Sequence, residues 1–338
     1  IEREDRKRFT DELNGKEISE WFERLVAAYR KWAVWERKWT KLRNETIRSL
    51  PFPYPYRDGQ KEFAAGVYRT IIREKKLFAM APTGVGKTLS TVFPAVKAMG
   101  EGQAEKLFYL TAKTMLRTVA EETFALLIKN GLKLKSVTIT AKEKVCALEK
   151  PECNPFACPR AKGHFDRVND ALYEMLTNEE TSTRERIMEY AEKYNVCPFE
   201  FCLDLTLWAD AVICDYNYVF DPNVALKRFF AADQKRDFVF LIDEAHNLPE
   251  RAREMYSATV VKEDFLRAKK LLGTRQPKLC KRLDACNKAM LELKRRCDGF
   301  AVEPEFLVLN LSLNRFLTEA EEYLKDEKYI IIDAEENA

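Results

Sequence analysis

Two short stretches decide the fold of this chain of 338 residues. The first is APTGVGKT at residues 81–88, and the second is DEAH at residues 243–246. Each follows an apolar run, Leu77 to Ala81 before the first and Phe238 to Ile242 before the second. A short run that is apolar throughout is typical of a strand buried in a parallel sheet. The two stretches therefore predict loops at the carboxyl ends of such strands, where ligand sites of open α/β sheets lie.

The first stretch has the pattern of a phosphate-binding loop, GxxxxGKT, with Ala81 in place of the first glycine. Small residues let backbone amides close around phosphates at the start of a helix. Lys87 would then contact the β and γ phosphates, and the Thr88 hydroxyl would bind Mg²⁺. An accidental glycine-rich turn is the alternative, which the strand and helix patterns on either side disfavour. The loop residues predicted to bind the nucleotide are Thr83, Gly84, Val85, Gly86, Lys87 and Thr88.

The second stretch supplies two acidic side chains. Asp243 can hold Mg²⁺, usually through water, and Glu244 can polarise the water that attacks the γ phosphate. By themselves, two adjacent acids after a strand more often form a solvated turn. Together with the phosphate-binding loop they predict a two-part site for MgATP.

Further apolar runs alternate with helix-like stretches, which predicts a parallel sheet with helical crossovers. The other predicted strands are Leu107–Leu110, Ser136–Thr140 and Ala211–Cys214. Near the start, apolar residues at spacings of three and four from Ile18 to Leu42 predict one long helix, and its tryptophans are interpreted as packing residues rather than platforms for bases. The prolines at 51, 53 and 55 then predict a domain boundary near residue 50.

Five of the nine cysteines fall between Cys146 and Cys202. The intervals of six, four and thirty-eight residues that separate Cys146, Cys153, Cys158 and Cys197 fit no zinc ribbon of paired CxxC. Four thiolates suit a zinc ion or an iron–sulfur cube, and the residues alone favour zinc, because structural Cys₄ zinc sites are common. Reduced cysteines without a metal are a less favoured alternative. Cys202 is a spare that could replace one ligand. No chemistry is assigned to Cys214, Cys280, Cys286 and Cys297.

With 46% hydrophobic residues, the chain can bury a core, which indicates a folded protein. Its 57 Lys and Arg residues and 54 Asp and Glu residues nearly balance, so the total charge favours no particular partner. The sequence has no apolar run of about 18 residues and no signal-peptide pattern, so we expect a soluble cytoplasmic protein without a membrane partner. The first residue is Ile1 rather than Met, and the last apolar run is Tyr329–Ile332. Both ends therefore predict a piece of a longer protein.

The DEAH stretch matches box II of the superfamily 2 DEAH-box helicases word for word. From about residue 51 to residue 338, the chain resembles the iron–sulfur XPD and DinG branch of that family. The resemblance implies an α/β fold with a RecA-like P-loop domain and a parallel sheet, interrupted by an iron–sulfur insertion and followed by a partial helical arch insertion. The implied domains are a helical linker (1–50), RecA-like helicase domain 1 (51–140 and 205–250), the iron–sulfur cluster domain (141–204) and a partial arch-like helical domain (251–338).

The resemblance also implies roles for residues outside the phosphate-binding loop. His246 would couple the ATP site to the nucleic-acid side, as a catalytic residue beside Lys87, Asp243 and Glu244. Residues 53–60, PYPYRDGQ, are similar to the segment of the family that contacts adenine. Nucleotide-binding residues implied there are Tyr54, Arg57 and Gln60.

Two further segments are implied to face DNA. Residues 109–114, YLTAKT, are similar to motif Ia, which touches the DNA backbone, although Ala112 stands where the family often has Arg. In this branch four cysteines between motif Ia and box II hold a [4Fe-4S] cluster beside the path of single-stranded DNA, which reverses the preference for zinc. The implied ligands are Cys146, Cys153, Cys158 and Cys197. The basic residues around them that could contact the DNA backbone are Lys142, Lys144, Arg160 and Lys162.

The implied function is an ATP-dependent DNA helicase that moves 5′ to 3′ on single-stranded DNA and separates strands at duplex junctions, in DNA repair or replication. ATP, Mg²⁺ and a [4Fe-4S] cluster would be its cofactors. One alternative is a DNA-binding or damage-sensing ATP switch without unwinding activity, and another is a P-loop ATPase with a zinc module and no nucleic-acid role. The arginines of this family that reach the γ phosphate belong to a second motor domain, whose motifs are absent from this sequence. We therefore expect these 338 residues alone to bind ATP but hardly to hydrolyse it.

Overall fold

A computed structural model describes most of the chain and divides it into two compact units. It describes residues 14–82, 84–112, 114–230, 236–297, 299, 302 and 306–324. The first unit ends at Tyr256 and the second begins at Ser257. No helix in the described part of the chain is long and apolar enough to cross a membrane.

The first unit is built on a parallel sheet of five strands. The strands are β1 (Lys106–Thr111), β2 (Ser136–Thr138), β3 (Thr181–Ser182), β4 (Ala211–Asp215) and β5 (Phe238–Ile242). Their order across the sheet is β3-β2-β4-β1-β5. Leu110 lies opposite Cys214 on one side and opposite Ile242 on the other. The carboxyl ends of β1, β4 and β5 therefore meet at one edge, which brings the residues after them together.

Helices surround the sheet and form the second unit. In the first unit they are α1 (Gly15–Ser49), α2 (Gln60–Ile72), α3 (Lys87–Gly100), α4 (Thr114–Lys129), α5 (Lys142–Val145), α6 (His164–Asn178), α7 (Arg184–Lys193), α8 (Pro198–Trp208), α9 (Asn217–Phe220), α10 (Lys227–Phe230) and α11 (Leu248–Met255). In the second unit they are α12 (Lys262–Leu272), α13 (Pro277–Arg295) and α14 (Leu307–Leu324). The core of the second unit contains Phe265, Leu283 and Cys286.

Both faces of the sheet are covered, as in parallel sheets generally. Along β1, Phe108 and Leu110 belong to one apolar core, whereas Leu107 and Tyr109 belong to the other. This alternation follows from the two-residue period of a strand. The continuous apolar runs in the sequence are therefore explained by burial on both faces.

Four of the five predicted strands are confirmed, with ends that differ by two residues at most. The strand predicted at Leu77–Ala81 is wrong, because these residues form no strand and Phe78 is 90% exposed. A strand needs a hydrogen-bonding neighbour, which an apolar run does not specify. Within the described residues, β5 lies at the sheet edge and pairs with β1 alone.

Helix α1 begins at a capping box and ends before a proline. The Asn14 side chain accepts a hydrogen bond from the Glu17 amide at 3.1 Å, and the Glu17 carboxylate accepts one from the Asn14 amide at 2.9 Å. The packing interpretation of its tryptophans is confirmed in the second half of the helix, where Trp32 stacks on Trp208 with ring centroids 4.4 Å apart. Trp21, in the first half, is half-exposed.

A buried polar network attaches α1 to the amino-terminal edge of the sheet. The Asp210 carboxylate accepts hydrogen bonds from Trp39 Nε1 at 3.0 Å, from the Arg43 guanidinium and from the Lys135 amide at 2.8 Å. The Lys106 ammonium donates to backbone carbonyls at the end of α8. Burial lowers the pKa of Lys106 to about 8. The network fixes the edge opposite to the one where β1, β4 and β5 end.

The segment between β2 and β4, which contains the predicted iron–sulfur insertion, shares the core of the sheet. It adds β3 to the sheet, with Thr181 opposite Ser136. Val168 of α6 and Phe201 of α8 are buried in the same core as Phe108. Between α5 and α6 the chain forms only turns and bends. The segment thus combines helices anchored on the sheet with a stretch that has no regular structure.

Candidate nucleotide site and cysteine cavity

The phosphate-binding loop precedes α3 and depends on two glycines. Gly84 and Gly86 have φ values of 87° and 78°, in the left-handed region that favours glycine. A Cβ atom at Gly86 would lie only 2.8 Å from the Gln60 side-chain nitrogen. Thr83, a predicted nucleotide contact, lies outside the described residues. The loop therefore keeps its shape because no side chain intervenes between it and α2.

Two residues of the predicted adenine segment form hydrogen bonds that support the phosphate-binding loop. The Gln60 amide donates to the Val85 carbonyl at 3.0 Å and accepts from the Arg57 amide at 3.0 Å. The Arg57 guanidinium donates to the Gly84 carbonyl. Tyr54 is 56% exposed. Contacts of these three residues with adenine stay a prediction, while Arg57 and Gln60 clearly hold the loop.

The DEAH turn follows β5 and brings its carboxylates to the phosphate-binding loop. The Asp243 amide donates to the Leu110 carbonyl at 2.9 Å, which continues the ladder between β1 and β5. Glu244 then adopts a left-handed backbone, and its Oε1 lies 3.5 Å from Lys87 Nζ. His246 Nδ1 lies 3.3 Å from Glu244 Oε2, and the imidazole is largely exposed. The structure therefore brings Lys87, Glu244 and His246 into one chain of polar contacts.

The two predicted magnesium ligands meet at a tyrosine that the sequence analysis missed. The Tyr109 hydroxyl lies beside the Thr88 and Asp243 side chains. Burial raises the pKa of Tyr109, and the negative charge of Asp243 raises it further. Tyr109 is almost fully buried in an apolar strand, so its sequence context is that of a core residue. A hydroxyl on a buried tyrosine usually finds a partner, and this is the signal that could have identified it.

The predicted motif Ia lies at the carboxyl end of β1. Thr111 is fully buried, Ala112 is half-buried, and Lys113 lies outside the described residues. Arg117 of α4 donates to the Ile139 carbonyl at 3.1 Å and lies 3.9 Å from Asp215. A contact of motif Ia with the DNA backbone stays a prediction.

The four predicted cluster ligands face one cavity. Cys146 ends α5 and Cys197 precedes α8, while Cys153 and Cys158 lie in the irregular stretch between α5 and α6. All four line the same cavity. Burial raises the pKa of Cys197, so its thiolate requires positive charge nearby. Sequence positions that are far apart thus converge on one space lined by thiols.

Charged side chains of both signs line this cavity: Lys142 and Arg160, and also Glu152 and Glu200. Lys142 Nζ lies 3.4 Å from Cys153 Sγ. Arg160 also lines the cavity, and its Nη1 is buried without a hydrogen-bond partner. Of the four basic residues predicted to contact DNA, these two thus face the cysteines, whereas Lys144 and Lys162 are exposed. An unpartnered buried guanidinium nitrogen beside four thiols fits a negatively charged occupant of the cavity.

The remaining cysteines lie elsewhere. Cys202, the predicted spare ligand, is buried in the sheet core, and its Sγ lies 3.6 Å from the Thr138 carbonyl oxygen. Cys214 belongs to the same core. Cys280 and Cys286 are buried in the second unit. Among the described residues, no three His, Cys, Asp or Glu side chains converge closely enough to hold a single metal ion.

Two models of helicase families match parts of this chain. Residues 61–154 match the family described as DEAD/DEAH box helicase, and residues 116–265 match the family described as DEAD_2. These matches confirm the resemblance to the XPD- and DinG-like helicases of superfamily 2 that was found in the sequence.

Two individual proteins that resemble this chain share less than a quarter of their aligned residues with it. The chain is 24% identical over 246 residues to the Regulator of telomere elongation helicase 1 homolog of Caenorhabditis elegans, covering 59% of this chain and 24% of that protein. It is 23% identical over 250 residues to the General transcription and DNA repair factor IIH helicase subunit XPD of Arabidopsis thaliana (63% and 33% covered). A solved structure titled XPD_Helicase has a TM-score of 0.48 at 17% identity and covers 80% of this chain and 48% of that one. The chain spans a quarter to a third of the length of these two curated relatives.

Proposed function

We propose that this protein uses ATP hydrolysis to move 5′ to 3′ along single-stranded DNA and to separate strands at duplex junctions, in DNA repair or replication. One observation carries the proposal: the loop lysine Lys87 and the DEAH carboxylate Glu244 lie 3.5 Å apart. Cation and carboxylate are thus placed to act on the same γ phosphate. A relative named ATP-dependent DNA helicase DinG, from Salmonella typhimurium, is 22% identical over 235 residues.

In the proposed reaction, each residue of the site has a separate task. Backbone amides of the loop and Lys87 bind the phosphates, while Thr88 and Asp243 hold Mg²⁺. Glu244 orients the attacking water and accepts its proton. His246, in contact with Glu244, would pass the state of the nucleotide to the DNA side of the domain.

We propose further that Cys146, Cys153, Cys158 and Cys197 hold a [4Fe-4S] cluster. The residues fit this group, because four thiols and a buried nitrogen of Arg160 without a hydrogen-bond partner lie around one cavity. A single zinc ion would need its four sulfurs about 2.3 Å from one point, whereas a cube binds thiolates that are spread more widely. When bound, the cluster ties together a stretch of chain that has no regular structure of its own.

Phosphate release and strand separation test the helicase proposal. We expect the 338 residues alone to release phosphate very slowly, because a finger arginine from a second motor domain contributes about 10³ to 10⁵ in rate. A protein that joins these residues to a second motor domain should turn over ATP faster when single-stranded DNA is added, and should open duplexes with a 5′ tail. Binding of DNA and ATP without any strand separation would instead favour the ATP switch. Stoichiometric zinc without DNA stimulation would favour the P-loop ATPase with a zinc module.

A further inference from the structure

The DEAH turn is held from inside the domain by Tyr216, the residue that follows β4. Its side chain is fully buried in the core on one face of the sheet. Its hydroxyl donates to the carbonyl oxygens of Asp243 and of Glu244, the latter at 3.1 Å. The hydroxyl of this core tyrosine therefore binds the backbone of Asp243 and Glu244, which carries the two acidic side chains.

The Glu244 backbone needs such support. Its φ and ψ are 52° and 42°, in the left-handed region that is unfavourable for a residue with a Cβ atom. A residue persists in that region when surrounding contacts hold it there. The Glu244 carbonyl accepts from the Asn247 amide at 3.0 Å and from the Asn247 side chain at 2.9 Å, in addition to Tyr216. Three donors thus fix one peptide group, and with it the direction of the Glu244 side chain.

The neighbours of Tyr216 hold the helix that follows the turn. Asp215 Oδ1 and Asn217 Oδ1 each lie 3.3 Å from Arg251 Nη2 in α11. Residues 215–217 therefore contact the DEAH turn and α11 together. Because both are held by the same three residues, the DEAH turn and α11 have little freedom to rotate together.

We propose that Tyr216 is a positioning residue of the nucleotide site, whose hydroxyl keeps the backbone of Asp243 and Glu244 in the geometry that faces Lys87. Tyr216 itself contacts only the backbone of these two residues, so it acts through them. The inference rests on the proposed function of this site. Loss of the hydroxyl lets the Glu244 peptide leave the left-handed region and carries the carboxylates away from Mg²⁺ and Lys87.

The test compares Tyr216→Phe with Tyr218→Phe, which changes another buried tyrosine of the same core. The dissociation constant of ATP is measured for each 338-residue variant with Mg²⁺ and again with a chelator in place of Mg²⁺. Tyr216→Phe should weaken ATP binding about tenfold with Mg²⁺, as expected for a lost hydrogen bond to a strained peptide. Binding without Mg²⁺ should stay within about twofold, because the phosphate-binding loop is unchanged. Tyr218→Phe should match the original chain in both conditions.

Each outcome decides between positioning and plain packing. A Tyr216→Phe variant that binds MgATP like the original chain, or that loses affinity equally with and without Mg²⁺, would overturn the proposal. Should this variant not fold, Asn247→Ala removes a donor to the same carbonyl from a half-buried position and should weaken MgATP binding selectively. Failure of the nucleotide site itself is recognised separately, because the original chain would then bind no MgATP or would bind it equally well after Lys87→Ala.

Discussion

The nucleotide site and the cysteine cavity are assembled by different means. At the nucleotide site, the ends of β1 and β5 and the start of α3 place Tyr109, Glu244 and Lys87, and hydrogen bonds such as Gln60 to Val85 support the loop. At the cysteine cavity, Cys153 and Cys158 lie in a stretch of turns, and Arg160 has a buried nitrogen without a partner. The protein's own contacts hold the described residues of the first site in place. We propose that the second depends on a bound group, because a buried nitrogen of Arg160 finds no hydrogen-bond partner in the protein.

This difference predicts opposite responses to mutation. Changes in the cavity should remove a bound group and loosen the surrounding chain. Changes at the nucleotide site should alter affinity while the structure stays intact. The following experiments test that contrast, and the first has the largest expected effect.

Replacing Cys158 with Ser should remove the cluster. We expect the chain purified without air to be brown and to contain about four irons, and Cys158→Ser to contain almost none, because a cube needs its thiolate ligands. Cys280→Ser, in the second unit, is the control and should keep its iron. Iron content and the visible spectrum measure the effect. Equal loss of iron in both variants would contradict the ligand assignment, and zinc in place of iron would contradict the cluster.

Replacing Lys87 with Ala should weaken MgATP binding about 10- to 100-fold, because a charge-assisted contact with phosphate is lost. Iron content should not change, since Lys87 supports no part of the cavity. Lys76→Ala removes an exposed lysine from the segment before the loop and serves as the control. Calorimetric titration with MgATP measures both. A Lys87→Ala variant that also lost its iron would show that the two sites are not independent.

Replacing Arg160 with Gln should leave the cluster in place but make it easier to remove. The guanidinium would otherwise pair with the negative charge of the bound group, and such outer contacts contribute about 10- to 100-fold to metal affinity. We expect iron to be lost to a chelator about tenfold faster than from the original chain. Lys162→Gln, at an exposed position in the same segment, should lose iron at the original rate. Equal rates for all three proteins would show that Arg160 has no role in holding the group.

A smaller effect is expected at the amino-terminal edge of the sheet, opposite to the edge where the nucleotide site lies. Burial lowers the pKa of Lys106 to about 8, so between that pH and the ordinary value of 10.5 the unfolded chain binds more protons than the folded one. The contribution of Lys106 to the free energy of unfolding therefore rises with pH in this window.

Urea unfolding of the original chain and of Lys106→Met should show this dependence. From about pH 8 to about pH 9.5, the difference in free energy of unfolding should shift by about 1–2 kcal/mol in favour of the original chain. Affinity for MgATP should stay the same, because Lys106 lies at the amino end of β1, away from the nucleotide. A shift in the opposite direction would mean that Lys106 is not buried as the structure describes.

The sequence was sufficient to predict those parts of the site that consist of consecutive residues. The phosphate-binding loop and the DEAH turn need small residues, a lysine and two carboxylates at fixed spacing, so both could be found without a structure. The same holds for β1 and β4, whose apolar runs are long enough to be buried on both faces. Cysteine spacing together with the family resemblance selected four residues that the structure places around one cavity.

Tertiary structure alone decided which distant residues complete these sites. Tyr109 and Tyr216 are core tyrosines in the sequence, and only the order of the strands brings their hydroxyls to Asp243. The run at Leu77–Ala81 looked like a strand, but pairing depends on whether a neighbouring strand offers its edge, which no local pattern records. Arg160 was predicted to contact the DNA backbone, and only the packing of α5 and α8 around the irregular stretch places it beside the thiols. Motifs made of consecutive residues can be found in the sequence. Contacts between residues that are distant in sequence form only when the strands and helices pack.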